Sequence, residues 1–253
     1  MASYAFDPGQ IVGFLLLTAR MMALLQFAPP FSSGGVPIRV RLALAAGTGL
    51  ALAPLLAVDL DLSSSGLIAA VVYQIVVGAA MGVIISLFMA ALNAAGSMID
   101  LLSGIGVAVL YDPTTQIQAG PVGRLYQLIM VTGLFIIDGH LLMVRGLLRT
   151  FDAAPLDGLV VADLSEALIN GARDLFLAAV EISLPVLVAL AMTEVVLGLA
   201  SRAAPRLNVL VLGFAAKALI MMFVLTVSVP LAVRSLSVLL ERSVIWSLQA
   251  LGG

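Results

Sequence analysis

The chain has 253 residues, of which 62% are hydrophobic and 10% are charged, and its mean hydropathy is +1.19. Water-soluble domains carry about 25% charged residues, so this composition excludes a soluble globular protein. The net charge of −2 is too balanced for a nucleic-acid-binding surface, and the lack of cysteine excludes disulfides, thiolate metal sites and cysteine nucleophiles. The composition therefore indicates a protein that is embedded in membrane lipid.

The first ten residues contain Asp7 but no Lys or Arg, so they lack the basic region of a cleavable signal peptide, and we expect them to be retained. Six apolar blocks follow, near residues 11–28, 42–58, 67–110, 125–148, 175–200 and 207–240. A helix needs about 20 residues to cross the hydrocarbon core, and blocks one, two, four and five have that length. The blocks predict an all-α integral membrane protein with about six long, kinked apolar helical segments.

The third block is too long for a single span. As one helix it would extend roughly 66 Å, about twice the thickness of the hydrocarbon core. We therefore expect it to bend, to fold back or to project beyond the bilayer. The basic residues raise a second difficulty, because six alternating spans would leave five arginines on each side of the membrane. Polytopic proteins normally show an excess of basic residues on one side, so the tie indicates that some blocks do not cross.

Five ionisable residues lie inside the apolar stretches: Arg20, Asp138, Glu181, Glu194 and Lys217. Such groups are costly in lipid and are normally kept where they face a partner helix or a wet cavity. Glu181 and Glu194 are 13 positions apart and project about 140° from each other, so they cannot serve one site on one helix face. Glu194 would reach Lys217 if blocks five and six form a hairpin, and we predict this ion pair.

One face of the third block carries small or polar residues at spacings of 4, 3 and 4: Asn93, Ser97, Asp100 and Gly104. This stripe fits a seam between helices, and it also fits the lining of a water-filled lumen. Earlier in the block, Gly78 and Gly82 form a GxxxG motif that permits close approach of another helix.

Catalytic signals are weak throughout the sequence. His140 has no second His or Cys and no pair of carboxylates near it, so a hydrogen-bonded packing role is favoured over metal binding or proton relay. Ser103 lies in LLSGIG, which lacks the first Gly of a GxSxG motif, and neither a P-loop nor GxGxxG is present. We expect a protein that is not an enzyme and that binds no cofactor.

Several motifs occur in an order that is specific as a set. The tract from Pro30 to Leu44 (PFSSGGVPIRVRLAL) and the tract from Ser201 to Asn208 (SRAAPRLN), followed by Gly213-Phe214, are the two strongest. Between them come Asp112-Pro113, Pro121, Gly139-His140 and Leu184-Pro185-Val186. From about residue 11 to 240 the chain resembles the FliR family of flagellar biosynthetic proteins. The sequence of the first tract resembles the flagellar members of the family more than their relatives in virulence type III secretion systems.

Some positions depart from the family pattern. Asp138 stands where Asn is usual before Gly139-His140, Glu194 stands where a neutral polar residue is more common, and Ala215 stands where Pro is common after Gly213-Phe214.

The resemblance implies a subunit of the type III protein export gate in the bacterial inner membrane, within the flagellar basal body. It implies FliP-like and FliQ-like gate subunits and an FlhB-like switch protein as partners, with unfolded flagellar proteins in transit. It further implies a FliP-like part over residues 1–170, a plug-like loop near 103–121 and a FliQ-like helical hairpin over 171–253. A secondary transporter that uses the intramembrane charges for coupling is the alternative class, although no inverted repeat is visible.

The family's plug maps onto a Gly-rich segment that could fill a narrow pore, and a plain connecting loop is the other interpretation of that segment. The candidate plug residues are Gly104, Gly106, Val107, Val109, Leu110, Asp112 and Pro113. The candidates for helix packing and assembly are Arg20, Gly78, Gly82, Asn93, Ser97, Asp100, Glu181, Glu194 and Lys217.

Overall fold

A computed structural model describes residues 8–29, 31–32, 35–55, 64–104, 120–154, 164–204 and 209–250. These ranges contain helices and no strand, which confirms the all-α prediction. The helices are α1 (Pro8–Phe27), α2 (Ile38–Leu52), α3 (Ser64–Ser103), α4 (Pro121–Ile136), α5 (Gly139–Ala153), α6 (Leu164–Ala203) and α7 (Val209–Ala250), with a short 3-10 helix at Ala53–Leu55.

The described residues do not provide six membrane spans, in agreement with the expectation that some blocks do not cross. In the second block the structure describes α2, whose 15 residues are fewer than the roughly 20 that a span requires, followed by the 3-10 helix Ala53–Leu55. Within the described ranges, four stretches are long and apolar enough to cross a membrane: Gly9–Phe27, Gly66–Ser103, Leu168–Ala203 and Val211–Gln249. The α4–α5 pair would make a fifth only if it crosses as one broken span. The five-to-five arginine count therefore rested on the wrong set of spans.

The fourth block is interrupted by a turn at Ile137 and Asp138. Asp138 has a φ of 53°, the left-handed conformation, and it directly precedes the first residue of α5. Asp and Asn tolerate this conformation better than most other non-glycine residues. Asp138 is exposed, so its presence in an apolar block is explained by the backbone of the turn and not by a buried ionic contact.

The third block is a single helix, at least through Ser103. α3 has 40 residues, and at 1.5 Å per residue its axis is roughly 60 Å long. α6 and α7 have 40 and 42 residues, with Pro185 and Pro230 in their interiors. Each of these helices exceeds the hydrocarbon thickness of about 30 Å by a wide margin, so each must tilt strongly or extend beyond the bilayer.

The chain divides into two compact units, and the first comprises Met1–Phe88, Asp138–Gly171 and Leu240–Gly253. In this unit α2 runs antiparallel to α1, because Gly49 of α2 meets Phe14 and Thr18 while Arg41 Nη1 donates to Gln26 Oε1 at 2.8 Å. The first part of α3 lies alongside α1, and α5 packs through Gly146 against Val244 near the end of α7.

The second unit comprises Met89–Ile137 and Ala172–Leu239. Here α6 and α7 are antiparallel, since Leu197 lies beside Gly213, Glu194 beside Lys217, and Ile182 beside Ser228. α4 runs parallel to α7, with Tyr126 beside Ser228 and Gly133 beside Leu236.

Candidate assembly and channel sites

Gly78 and Gly82 seat α1 directly on the backbone of α3. A Cβ atom added to Gly78 would lie 2.1 Å from the carbonyl oxygen of Arg20, and one added to Gly82 would lie 2.9 Å from that of Leu24. Atoms at such distances overlap, so only glycine allows the two helices to approach this closely. The GxxxG motif thus has a neighbouring helix of the same unit against it.

Arg20 is fully buried in the first unit, and its guanidinium is bonded on three sides. Nε donates to Gln74 Oε1 at 2.6 Å, Nη1 to Thr150 Oγ1 at 2.9 Å, and Nη2 to the carbonyl of Ala154 at 2.7 Å. The guanidinium also lies 4.1 Å from the centre of the Phe151 ring, a cation–π contact. Arg20 was a candidate for helix packing or assembly, and in the structure its side chain connects α1, α3 and α5 of one chain.

Among the described residues, the hydrogen-bond acceptors of Arg20 are neutral, and two of them belong to a helix end. Thr150 lies in the last turn of α5, and Ala154 follows its final residue. The carbonyl groups at the C-terminus of a helix carry partial negative charge and lack intrahelical donors. The end of α5 therefore contributes to compensating the buried cation.

Asp100 makes the corresponding contact in the second unit, where an acidic side chain meets the N-terminus of a helix. Its side chain is 3% exposed, and its two oxygens accept from the backbone of α4: Oδ1 from Val122 N–H at 3.0 Å and Oδ2 from Gly123 N–H at 2.8 Å. α4 begins at Pro121 and is preceded by Gly120, which has no side chain to cap the helix. Asp100 of α3 supplies the missing cap, and its negative charge lies at the positive end of the helix dipole.

Two further glycines make room for this contact. A Cβ atom on Gly120 would lie 2.4 Å from Cγ of Asp100, and one on Gly96 would lie 2.7 Å from Cα of Gly123. Asp100 therefore sits in a helix seam, whereas Ser97 of the same stripe is exposed and Asn93 is half-buried. The sequence stripe identified Asp100 as a notable residue but gave no sign of its acceptor role.

Glu194 and Lys217 form an ion pair, which confirms the pairing predicted from the sequence. Lys217 Nζ also lies 3.4 Å from the carbonyl oxygen of Leu102, in the last turn of α3. The Lys217 side chain is 17% exposed and that of Glu194 is 55% exposed. The pair borders an open cavity of about 430 Å³, whose lining also includes Ser103 and Gly213.

Tyr126 and Ser228 form a buried polar contact that the sequence analysis missed. Ser228 Oγ donates to the carbonyl of Ile182 at 3.2 Å, so the Tyr126 hydroxyl is the donor to Ser228. The contact links α4, α7 and α6. Pro185 has no N–H to donate to the carbonyl of Glu181, so α6 lacks one helical hydrogen bond at this turn. Ser228 donates to the next carbonyl, that of Ile182, and so supports α6 there. Tyr126 itself could have indicated this contact, because the hydroxyl of a buried Tyr usually has a hydrogen-bond partner.

The remaining candidates fall into three groups. Glu181 lies on the exposed surface of α6. Gly104 directly follows α3 and has a φ of 79°, while Gly106, Val107, Val109, Leu110, Asp112 and Pro113 lie outside the described residues. Within the described ranges, no group of three or more His, Asp or Glu side chains could hold a metal ion, and His140 is half-buried in α5.

These features define a helical membrane protein whose buried ionisable groups mostly serve helix ends and helix seams. The sequence profile of the family described as bacterial export proteins, family 1, matches residues 11–243, and the chain belongs to this family. The resemblance noted in the sequence motifs is therefore confirmed.

Curated relatives come from both flagellar and virulence systems. The chain is 32% identical to the flagellar biosynthetic protein FliR of Escherichia coli (strain K12) over 197 residues, 77% of this chain and 76% of the relative. It is 24% identical to FliR of Caulobacter vibrioides over 79% of this chain and 81% of the relative. It is 28% identical to the Yop proteins translocation protein T of Yersinia pestis over 86% of this chain and 85% of that protein.

Proposed function

We propose that the chain is a non-catalytic subunit of the flagellar type III protein export gate and helps to form the channel through which unfolded flagellar subunits are secreted. The observation that carries this proposal is the match of residues 11–243 to a family of bacterial export proteins. The identity of 32% to a flagellar biosynthetic protein over 77% of the chain favours the flagellar system over a virulence system.

The helices support a role as one part of a larger assembly. In the span candidate of α6 only 33% of the most apolar window is buried within the chain, and in that of α7 only 17%. Large apolar surfaces are thus left for lipid or for other proteins. The span candidates of α3, α6 and α7 have 38, 36 and 39 residues, so each helix must tilt or extend beyond the hydrocarbon core. Lipid tails cannot cover the apolar side chains of a part that lies outside the core.

The proposal includes specific partners and a location. The chain assembles with FliP-like and FliQ-like subunits and contacts an FlhB-like switch protein, in the inner membrane at the flagellar basal body. Residues 1–170 form the FliP-like part, and residues 171–253 form the FliQ-like hairpin. The antiparallel packing of α6 and α7 supports the second of these assignments.

The proposal also assigns a plug to the segment near residues 103–121. The two flanks of this segment are held close together, because Asp100, four positions before Gly104, caps the first turn of α4. Deleting residues 106–116 should increase ion leakage through the purified, reconstituted gate, because the space filled by the plug would open. Unchanged conductance in a gate that still assembles would favour a plain connecting loop.

The direct test is export in the source bacterium. Deleting the gene should abolish secretion of flagellin and motility, and a plasmid copy should restore both. Strong solute uptake by the isolated chain in proteoliposomes, together with normal flagellin secretion in the deletion strain, would instead support a secondary transporter.

A further inference from the structure

α6 has two opposite faces with different surroundings. One face is buried within the second unit and includes Ala179, Ile182, Val186 and Leu190. The opposite face carries a continuous row that we call the α6 stripe: Leu177, Glu181, Leu184, Val188, Met192, Val195 and Leu199. The six apolar members are between 50% and 65% exposed.

The spacing of the α6 stripe is that of a helix–helix seam. Its members follow one another at intervals of 4, 3, 4, 4, 3 and 4 residues. At about 100° per residue they all fall within an arc of roughly 80°, which is the width that one neighbouring helix covers. The stripe extends over 23 positions, or roughly 33 Å of helix axis.

Glu181 argues against lipid as the occupant of this stripe. It lies near the middle of the span candidate Leu168–Ala203, where an ionised carboxylate in hydrocarbon is costly. Its side chain is exposed, and no ion pair is formed by it among the residues that the structure describes. A neighbour that covers the stripe must therefore bring a positive or hydrogen-bonding group to this level.

We propose that the α6 stripe binds one membrane helix of a different subunit, which presents apolar side chains along its length and a Lys, Arg or amide side chain opposite Glu181. This rests on the proposed function, which makes the chain a member of a multi-subunit assembly. A second copy of this chain is a poor occupant, because a symmetric parallel pair would place Glu181 against Glu181.

The test uses the full chain, tagged and co-expressed with the FliP-like and FliQ-like proteins of the same genome. Glu181→Lys should lower the recovery of one of them with the purified chain by at least about tenfold, equivalent to 1.4 kcal/mol. Glu181→Gln keeps the shape and one hydrogen-bonding oxygen without adding a positive charge, so it should lower the recovery less than Glu181→Lys does. The amount of chain in the membrane fraction shows whether each variant has inserted.

A second measurement leaves Glu181 intact. A photoreactive amino acid at position 188, on the stripe, should crosslink to that same subunit. The matched control is position 196, also an exposed Val but about 80° further round the helix, which should crosslink far less.

The possible outcomes separate the two proposals. Crosslinking of position 188 to lipid alone or to a second copy, or full recovery of partners with Glu181→Lys, would overturn the assignment of the stripe and leave the export function standing. If the unmodified chain recovered neither subunit and its deletion left flagellin secretion normal, the export function itself would be refuted.

Discussion

Asp100 is the residue whose replacement tests the helix-end interpretation most sharply. Asp100→Asn preserves the size and shape of the side chain but replaces one of its two oxygens by an NH₂ group. One of the two α4 amides, Val122 N–H or Gly123 N–H, would then face a donor in place of an acceptor. The substitution also removes the negative charge at the positive end of α4.

The size of the effect follows from these two losses. A hydrogen bond to a charged group contributes about 1.5–3 kcal/mol, and this one is buried, since Asp100 is 3% exposed. The interaction of a charge with a helix terminus adds about 0.3–1 kcal/mol. Asp100→Asn should therefore destabilise the first turn of α4 by about 2–4 kcal/mol. Because 1.4 kcal/mol corresponds to a factor of ten, the lower bound means about 30-fold easier opening of this turn.

Amide hydrogen exchange of the purified protein in detergent measures this opening at the right place. The amides of the first helical turn have no acceptor within their own helix, so exchange at Val122 and Gly123 reports directly on the Asp100 carboxylate. Asp138→Asn is a matched control, because Asp138 is exposed and Asn also tolerates the left-handed conformation. Equal exchange in the wild-type protein and Asp100→Asn, or an equally large change in Asp138→Asn, would refute the reasoning.

Three further substitutions test the other contacts. Gly78→Ala should reduce the free energy of unfolding by about 1–3 kcal/mol and so lower the midpoint of thermal unfolding, because its Cβ would meet the Arg20 carbonyl at 2.1 Å. Gly47→Ala is the control, because a Cβ there has nothing within 4 Å, and it should be neutral or stabilising by up to about 1 kcal/mol. Equal shifts in the two variants would count against the α1–α3 contact. Arg20→Lys keeps the charge but loses the planar fork that reaches three acceptors, so we expect a loss of about 2–4 kcal/mol in the same assay; a wild-type midpoint would show that charge alone suffices. The double variant Glu194→Lys, Lys217→Glu should be more stable than either single variant, by about 0.5–1 kcal/mol since the pair is partly exposed, and a double variant no better than the singles would contradict direct pairing.

The regular features of the fold were predictable from sequence because they depend on local patterns. Long apolar runs and Pro/Gly breaks predict helices, and the glycine spacing of Gly78 and Gly82 predicts close approach of a second helix. The Glu194–Lys217 pair was predictable because the two residues lie on consecutive helices, where a hairpin brings them together. In each case the information lies within one segment or two adjacent ones.

The partners of Arg20 and Asp100 could not be predicted in this way. Arg20 bonds to the carbonyl of Ala154, 134 positions away, and Asp100 to the amides of Val122 and Gly123. Backbone groups have no residue-specific signature, so a sequence cannot indicate which helix end a buried charge will meet. The break at Ile137 and Asp138 is a different case, because the Asp-Gly pair is a turn signal that the apolar flanks of the block concealed.

The ionisable groups of the apolar helices can now be separated by what compensates them. Arg20 and Asp100 are matched to the ends of α5 and α4, Glu194 and Lys217 are matched to each other, and Asp138 is exposed at a turn. Each of these groups is thus explained by its local surroundings. Glu181 differs, since it lies on an otherwise apolar surface that is exposed in the single chain, and a group of this kind is most simply explained by a partner helix.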